Sequence, residues 1–475
     1  MSLERDAGPQ ASLRLRLEFS HMMRDAVGPE HGLTEADLAQ VDAAGAVEAV
    51  QRLRAGGVLG WLDLPYQEEL PRAVRALAEE VRARCESFVV LGIGGSALGN
   101  IALQSALNHP YYNLLPPEQR GGPRLFVLDH VDPELIGGVL DVLDLERTVF
   151  NVISKSGGTA ETAAQYLVFR DALKRRLGDR YREHIIATTD PARGDLRAEA
   201  EAEGYRTLPI PPNVGGRFSV FSAVGLLSAA VCGIDIEDLL AGAAFADGFC
   251  REPDVWRNPA AMFAVLQYLS YRRGRHISVM MPYHYGLRDV ADWFRQLWAE
   301  SLGKRLDRRG SVVHVGPTPV KALGPTDQHS QVQLYMEGPV DKVVTFVFVE
   351  RYGREVPIPR AERATPATAY LGGHTLTALV QAEGRATALA LAEAGRPNAA
   401  FVLPEVSPFT VGQFLYTLGV ATALSGELYD VNAFDQPGVE AGKQATRALL
   451  GDAAYAELRR RIEAAEAGRS GRWVV

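Results

Sequence analysis

Short, wholly apolar runs alternate with longer stretches of helical period through most of this chain. Phe88–Ile93 (FVVLGI) has no polar side chain, which predicts a strand buried on both faces. Leu125–Asp129, Val149–Ile153 and Ile185–Thr188 repeat the pattern. Helical spacing fills the gaps, with one helix opening near Ser96 and another over Thr159–Leu177. The alternation then restarts. Ile277–Met281, Val343–Val349 and Ala399–Leu403 read as strands, and Arg288–Leu302 and a segment from about Thr410 read as helices. Strands alternating with helices predict parallel sheets covered on both faces. The expected fold is therefore α/β, with two doubly wound parallel-sheet domains in tandem. The segment 1–60 reads as peripheral and helical, 61–254 as the first domain, 255–434 as the second, and 435–475 as C-terminal helices. Residues from about 255 to 275 form the crossover.

Length changes this picture little: 475 residues accommodate two large domains. Hydrophobic residues at 47% and charged residues at 23% exclude a mostly disordered chain. Cys85, Cys232 and Cys250 are odd in number and far apart, which excludes a disulfide scaffold. The net charge of -8 leaves no broad cationic field for nucleic acid or an acidic membrane, though a local basic pocket for a small anion is compatible with it. The longest uncharged stretch, Phe218–Ile234, is short for a membrane span and carries Ser219, Ser222 and Ser228, so it reads as a buried helix. The N-terminal MSLERDAGPQASLRLRLEFS has scattered charges and no apolar core, so the expected location is the cytoplasm.

Open parallel sheets bind ligands where strands lead into helices. After the first strand stands Gly92-Ile-Gly94-Gly95-Ser96-Ala97. Glycines there let a backbone approach an anion, and Ser96 is placed to bond a phosphate. A glycine turn serving only tight strand–helix packing is an equal reading. A dinucleotide site is a poor one, because it wants an acid about 20 residues on, and Asp129 lies 37 residues beyond Gly92. After a later strand stands Ser154-Lys155-Ser156-Gly157-Gly158-Thr159. Three hydroxyls, two glycines and a lysine at a helix start suit a phosphomonoester. Plain N-capping by Thr159 needs only one of those hydroxyls. Gly438–Lys443 (GVEAGK) is one residue short of a nucleotide-binding P-loop and is followed by Gln444.

Two phosphate loops on one sheet resemble a sugar isomerase (SIS) domain. Four further segments narrow the resemblance: Val214-Gly-Gly-Arg217-Phe-Ser, Gln296-Leu-Trp-Ala-Glu300-Ser-Leu-Gly-Lys304, Asp327-Gln328-His329-Ser, and Phe434-Asp-Gln-Pro-Gly438-Val-Glu440-Ala-Gly-Lys443. With the two loops, and in that order over residues 88–444, they are similar to the glucose-6-phosphate isomerase family. The resemblance implies two SIS-type domains and reversible aldose–ketose isomerisation of glucose 6-phosphate and fructose 6-phosphate, in glycolysis and gluconeogenesis. It implies that Ser96, Ser154, Lys155, Ser156 and Thr159 hold the sugar phosphate and that Gly95 and Gln296 line the site. Glu300 would move the proton between C2 and C1, Arg217 would steady the enediolate, and His329 and Lys443 would assist ring opening. It also implies a homodimer in which His329 crosses to the neighbouring subunit, with no cofactor and no metal.

The residues themselves bear on that chemistry. A hydride shift on a divalent metal needs clustered ligands, whereas the histidines here are dispersed and Asp129–His130 has no evident third partner. The metal-free route needs a carboxylate basic enough to take a carbon-bound proton. Glu300, among Trp293, Phe294, Leu297 and Trp298, fits a partly buried base; it equally fits a solvated glutamate paired with Lys304 four residues on. Arg217 reads either as a surface residue or as a fixed cation facing a site. Lys443 reads equally as a solvated charge on a C-terminal helix. Three other functions remain open on the residues: an isomerase that also accepts mannose 6-phosphate, a non-catalytic sugar-phosphate sensor, and a dinucleotide enzyme.

Overall fold

The computed structural model describes residues 9–469 and 471–475, apart from the side chains of Pro9 and Arg472. The strands run β1 (Arg16–Glu18), β2 (Ser87–Leu91), β3 (Arg124–Leu128), β4 (Thr148–Ile153), β5 (Ile185–Thr189) and β6 (Arg206–Pro209), then β7 (Ile277–Pro282), β8 (Lys304–Leu306), β9 (Val312–Val315), β10 (Thr318–Lys321), β11 (Lys342–Val349) and β12 (Asn398–Leu403). One five-stranded sheet has the order β3-β2-β4-β5-β6, with every pairing parallel. The second has the order β1-β12-β11-β7-β10, parallel except where β1 joins β12. Both doubly wound sheets expected from the sequence are present. β8 and β9 form a small antiparallel ribbon.

The apolar runs form strands because successive side chains enter different cores. In β2, Phe88 and Val90 point into the large core between the sheets, while Val89 and Leu91 enter a separate core on the far face. β4 divides in the same way, with Val149 and Ile153 on one side and Phe150 and Val152 on the other. The central core also takes Val347 and Val349 of β11 and Phe401 and Leu403 of β12, so the two sheets share it. Its axis is the helix Pro408–Leu428, buried at every position from Phe409 to Gly426. Each fully buried Phe or Leu here contributes roughly 1.5–3 kcal/mol over an exposed one.

Two regions depart from the expectation. The N-terminal segment is not wholly helical, because β1 adds an antiparallel edge to the second sheet. Three residues with only Leu17 half-buried are too few to show a period. Phe218–Ile234 holds a shorter helix, Ala223–Val231, than its uncharged length suggested, since Ser222 caps it by accepting from Val224 N–H. Among the described residues no helix is long and apolar enough to cross a membrane. The C-terminal helices Glu440–Leu449 and Ala456–Ala467 pack on one another and leave Leu450 exposed.

Candidate active site

The glycine loop after β2 makes a 3-10 turn over Gly94–Ser96 before the helix Leu98–Leu107. A Cβ on Gly95 would lie 2.3 Å from the Gly216 carbonyl and 2.6 Å from the Arg217 nitrogen. Only glycine lets these two backbones touch, so Gly95 seats the Arg217 turn against the first phosphate-type loop. Gln296 also reaches this loop, with its amide nitrogen beside Gly94. Ser96 stands half-buried at the end of the turn.

The second loop, between β4 and the helix Ala160–Leu177, is held from within. Ser154 Oγ accepts from Gly157 N–H at 3.0 Å, and Ser156 Oγ accepts from Gly158 N–H at 3.2 Å. Gly157 has a φ of +78°, and a Cβ there would meet the Leu196 nitrogen at 2.2 Å, so no bulkier residue fits this chain at that position. Thr159 is the N-cap residue, yet its side chain makes no capping bond. Plain capping therefore does not account for its hydroxyl. Lys155 donates from Nζ to the carbonyls of Pro212 and Val214, the latter at 3.1 Å. It ties this loop to the segment that carries Arg217, and burial holds its pKa below the ordinary lysine value.

Arg217, on the turn Gly216–Phe218, is the buried centre of the cluster at 5% exposure. Its Nε donates to Ser301 Oγ at 2.8 Å. Nη2 donates to the carbonyls of Ala433, at 2.6 Å, and Asp435, at 3.1 Å. Nη1 donates to Gln436 Oε1 at 2.9 Å and to Glu300 Oε2 at 3.2 Å. Burial lowers its pKa, and the charges of Glu300 and Asp435 oppose that shift. This is the fixed cation of the two readings, not a surface residue.

Glu300, near the end of the helix Arg288–Leu302, keeps its side chain 33% exposed beside that cation. Its other oxygen, Oε1, accepts from Gln296 Nε2 at 3.1 Å. The solvated Glu300–Lys304 pair is absent, because the helix stops at Leu302 and Lys304 begins β8. Lys304 Nζ donates instead to the Glu300 backbone carbonyl at 2.8 Å and lies 3.1 Å from Asp435 Oδ1. The Glu300 carboxylate is thus held by one guanidinium and one amide, with the rest of it open.

Other expected residues lie apart from this cluster. His329 ends the exposed turn Thr326–His329 beyond β10 and hydrogen-bonds no member of the Arg217–Glu300 set. Its neighbours fasten the turn: Asp327 Oδ2 accepts from Leu323 N–H at 2.7 Å, and Gln328 accepts from the Tyr283 hydroxyl. Lys443 is 61% exposed and paired with Glu440 at 2.8 Å. Ser301, Lys304, Asp435 and Gln436 join the cluster although the sequence reading gave them no role there. All four lie inside segments already singled out by resemblance, Gln296–Lys304 and Phe434–Lys443, which was the available signal. Among the described residues no three His, Cys, Asp or Glu side chains gather in a way that would hold a metal ion.

Residues 79–465 match the family described as phosphoglucose isomerase. A glucose-6-phosphate isomerase of Carboxydothermus hydrogenoformans is 49% identical over 453 residues, 95% of this chain and 97% of its own. Another, of Rubrobacter xylanophilus, is 47% identical over 441 residues, 91% of this chain and 98% of its own. Among solved structures, a hypothetical protein of Thermus thermophilus superposes with a TM-score of 0.81 at 43% identity, covering 92% of this chain and all (100%) of that one. A glucose-6-phosphate isomerase from Chlamydia trachomatis gives 0.71 at 25% identity, covering 83% and 76%.

Proposed function

The chain belongs to the phosphoglucose isomerase family, and we propose on that premise that it interconverts glucose 6-phosphate and fructose 6-phosphate, in the cytoplasm, as a step of glycolysis and gluconeogenesis. The observation that carries the reading is the half-open Glu300 carboxylate, held between Arg217 Nη1 at 3.2 Å and Gln296 Nε2 at 3.1 Å. A carboxylate so placed takes the proton from C2 of the open-chain aldose and returns it to C1, while the hydroxyl proton moves from O2 to O1, leaving the ketose carbonyl at C2. The enediolate formed between these transfers carries negative charge. Arg217, already oriented by its other hydrogen bonds, stabilises that charge without reorganising. The hydroxyls of Ser96, Ser154, Ser156 and Thr159 hold the phosphate. Lys155 has a third N–H to add to them, and Gly95 and Gln296 line the sugar. The three cysteines are buried and unbridged, as suits a reducing compartment.

Ring opening needs a proton added to the ring oxygen and one removed from the anomeric hydroxyl. We assign these to His329 of a second subunit and to Lys443. The domain limits 61–254 and 255–434 place the phosphate loops in one unit and Glu300 in the other.

An isomerase assay in deuterated water tests the reaction. Interconversion with solvent deuterium at C1 or C2 is expected, and the absence of any interconversion overturns the reading. Mixing His329→Ala with Glu300→Gln chains tests the dimer. Random pairing leaves one complete site in half the dimers, so about a quarter of wild-type activity should return. No return of activity would mean that His329 does not work across the interface.

A further inference from the structure

A second cleft, of about 580 Å³, lies away from this cluster and is lined by Arg24, His31, Arg273 and Arg275. It sits at the amino ends of the second sheet. Arg275 lies just ahead of β7, and Val340, also in its lining, just ahead of β11. That is the pole opposite the carboxyl ends, where parallel sheets present their catalytic loops. Arg275 is only 4% exposed. Its Nη2 donates to the His31 carbonyl at 3.0 Å, and its Nε is buried without a partner. The charge it meets is that of Arg273, not a carboxylate; burial and that repulsion bring its pKa down to about 10.

A guanidinium in such surroundings is costly unless an anion compensates it. The carboxylates of the cleft do not. Asp37 is engaged by Arg273 at 2.8 Å and by the Thr34 N–H at 2.7 Å. Glu30 is 85% exposed and lies 3.9 Å from His31 Nε2. Arg24, from the N-terminal segment, stands exposed in the lining of the cleft. Guanidinium forks are shaped for phosphate oxygens, and three arginines lining one cleft suit the several oxygens of a phosphate-type oxyanion.

We propose that this cleft is a second anion site, built to take a phosphate-type oxyanion between Arg24, Arg273 and Arg275. It is separate from the sugar-phosphate loops, and the N-terminal segment supplies one wall.

Equilibrium dialysis of the full chain with pyrophosphate tests it. Arg24→Ala and Arg275→Gln are each expected to lose one equivalent of bound pyrophosphate per chain, or to weaken it at least tenfold. Isomerase kcat/KM should stay unchanged, because neither residue touches the Arg217–Glu300 cluster. Arg24→Ala alters an exposed side chain, so it decides the matter even if Arg275→Gln folds poorly. An isotherm identical to wild type in Arg24→Ala overturns the proposal. So does an equal loss in the control Arg52→Ala, or malonate binding as tightly as pyrophosphate.

Discussion

Two arginine–carboxylate pairs of the molecule, one closed around Asp247 and one centred on Arg217, are built oppositely. In the first, Asp247 on the helix Ile236–Cys250 is 1% exposed. It accepts from Arg54 at 2.9 and 3.0 Å, from the Tyr66 hydroxyl at 2.6 Å and from the Tyr416 hydroxyl at 2.8 Å, and it also pairs with Arg251. Its lone pairs are saturated, and the bonds join the N-terminal segment to two core helices. In the second pair the arginine is the saturated partner. Arg217 is fully engaged, whereas Glu300 keeps one protein donor per oxygen and an open side. A saturated carboxylate fixes tertiary structure. An unsaturated one beside a fixed cation has capacity left to accept a proton. Burial and charge pairing alone do not separate structure from chemistry; the count of unused lone pairs does.

The contrast is sharpest in substitutions of the two acids. Glu300→Gln preserves shape and should lower kcat by about 10²–10⁴-fold, with KM and melting temperature near wild type. A kcat within tenfold of wild type would remove Glu300 from the role of base. Asp247→Ala should do the reverse. It leaves the buried Arg54 with only the half-exposed Asp63 as a counter-ion, a loss of up to about 3–5 kcal/mol in denaturant unfolding, while the folded protein keeps its kcat. A loss below about 1 kcal/mol would mean that the saturated pair holds little together.

Smaller effects belong to the phosphate loops. Ser156→Ala and Thr159→Ala each remove one hydrogen bond to the charged phosphate, so KM should rise about ten- to a hundredfold, from the roughly 1.5–3 kcal/mol such a bond is worth. An unchanged KM for both would leave the anion reading of that loop without support. The smallest effect is on pH dependence. Desolvation raises the Asp247 pKa, but hydrogen bonds from Arg251, Arg54, Tyr66 and Tyr416 outweigh it and hold the value below that of an ordinary aspartate. A depressed folded pKa contributes stability that is complete above the unfolded value, about 3.9. That contribution is lost as pH falls through the lower folded value. Asp247→Asn should therefore flatten the acid limb of stability below about pH 4, as read by urea unfolding across pH. An acid limb as steep as wild type would assign it to other carboxylates.

Legibility in the sequence followed burial. β2, β4, β5 and β12 are buried at every residue and stood out as apolar runs. β6 and β10 were not seen. Both are edge strands with exposed residues, and β10 holds Pro319, which an edge tolerates. In the site, the two loops stood out because glycines and hydroxyls gather where strands end, whereas Arg217, Gln296 and Glu300 were singled out only by the family resemblance, Gln296 and Glu300 lying inside the helix Arg288–Leu302. The partner of Lys304 was not legible. Counting four residues along a helix pairs it with Glu300, but the helix ends first and the side chain turns to Asp435.

Which segments become strands and helices is a local property, since hydrophobic period is read over a few neighbouring positions. The sequence therefore determined the buried strands of both sheets and the two glycine- and serine-bearing loops by itself. Which side chains saturate one another is not local. Arg217 is completed by carbonyls more than 200 positions away, at Ala433 and Asp435. Asp247 is completed by Arg54 and Tyr416 from opposite ends of the chain. Only the tertiary structure decided that Asp247 is closed and Glu300 open, because hydrogen-bond saturation depends on which distant backbones the folded core brings within 3 Å.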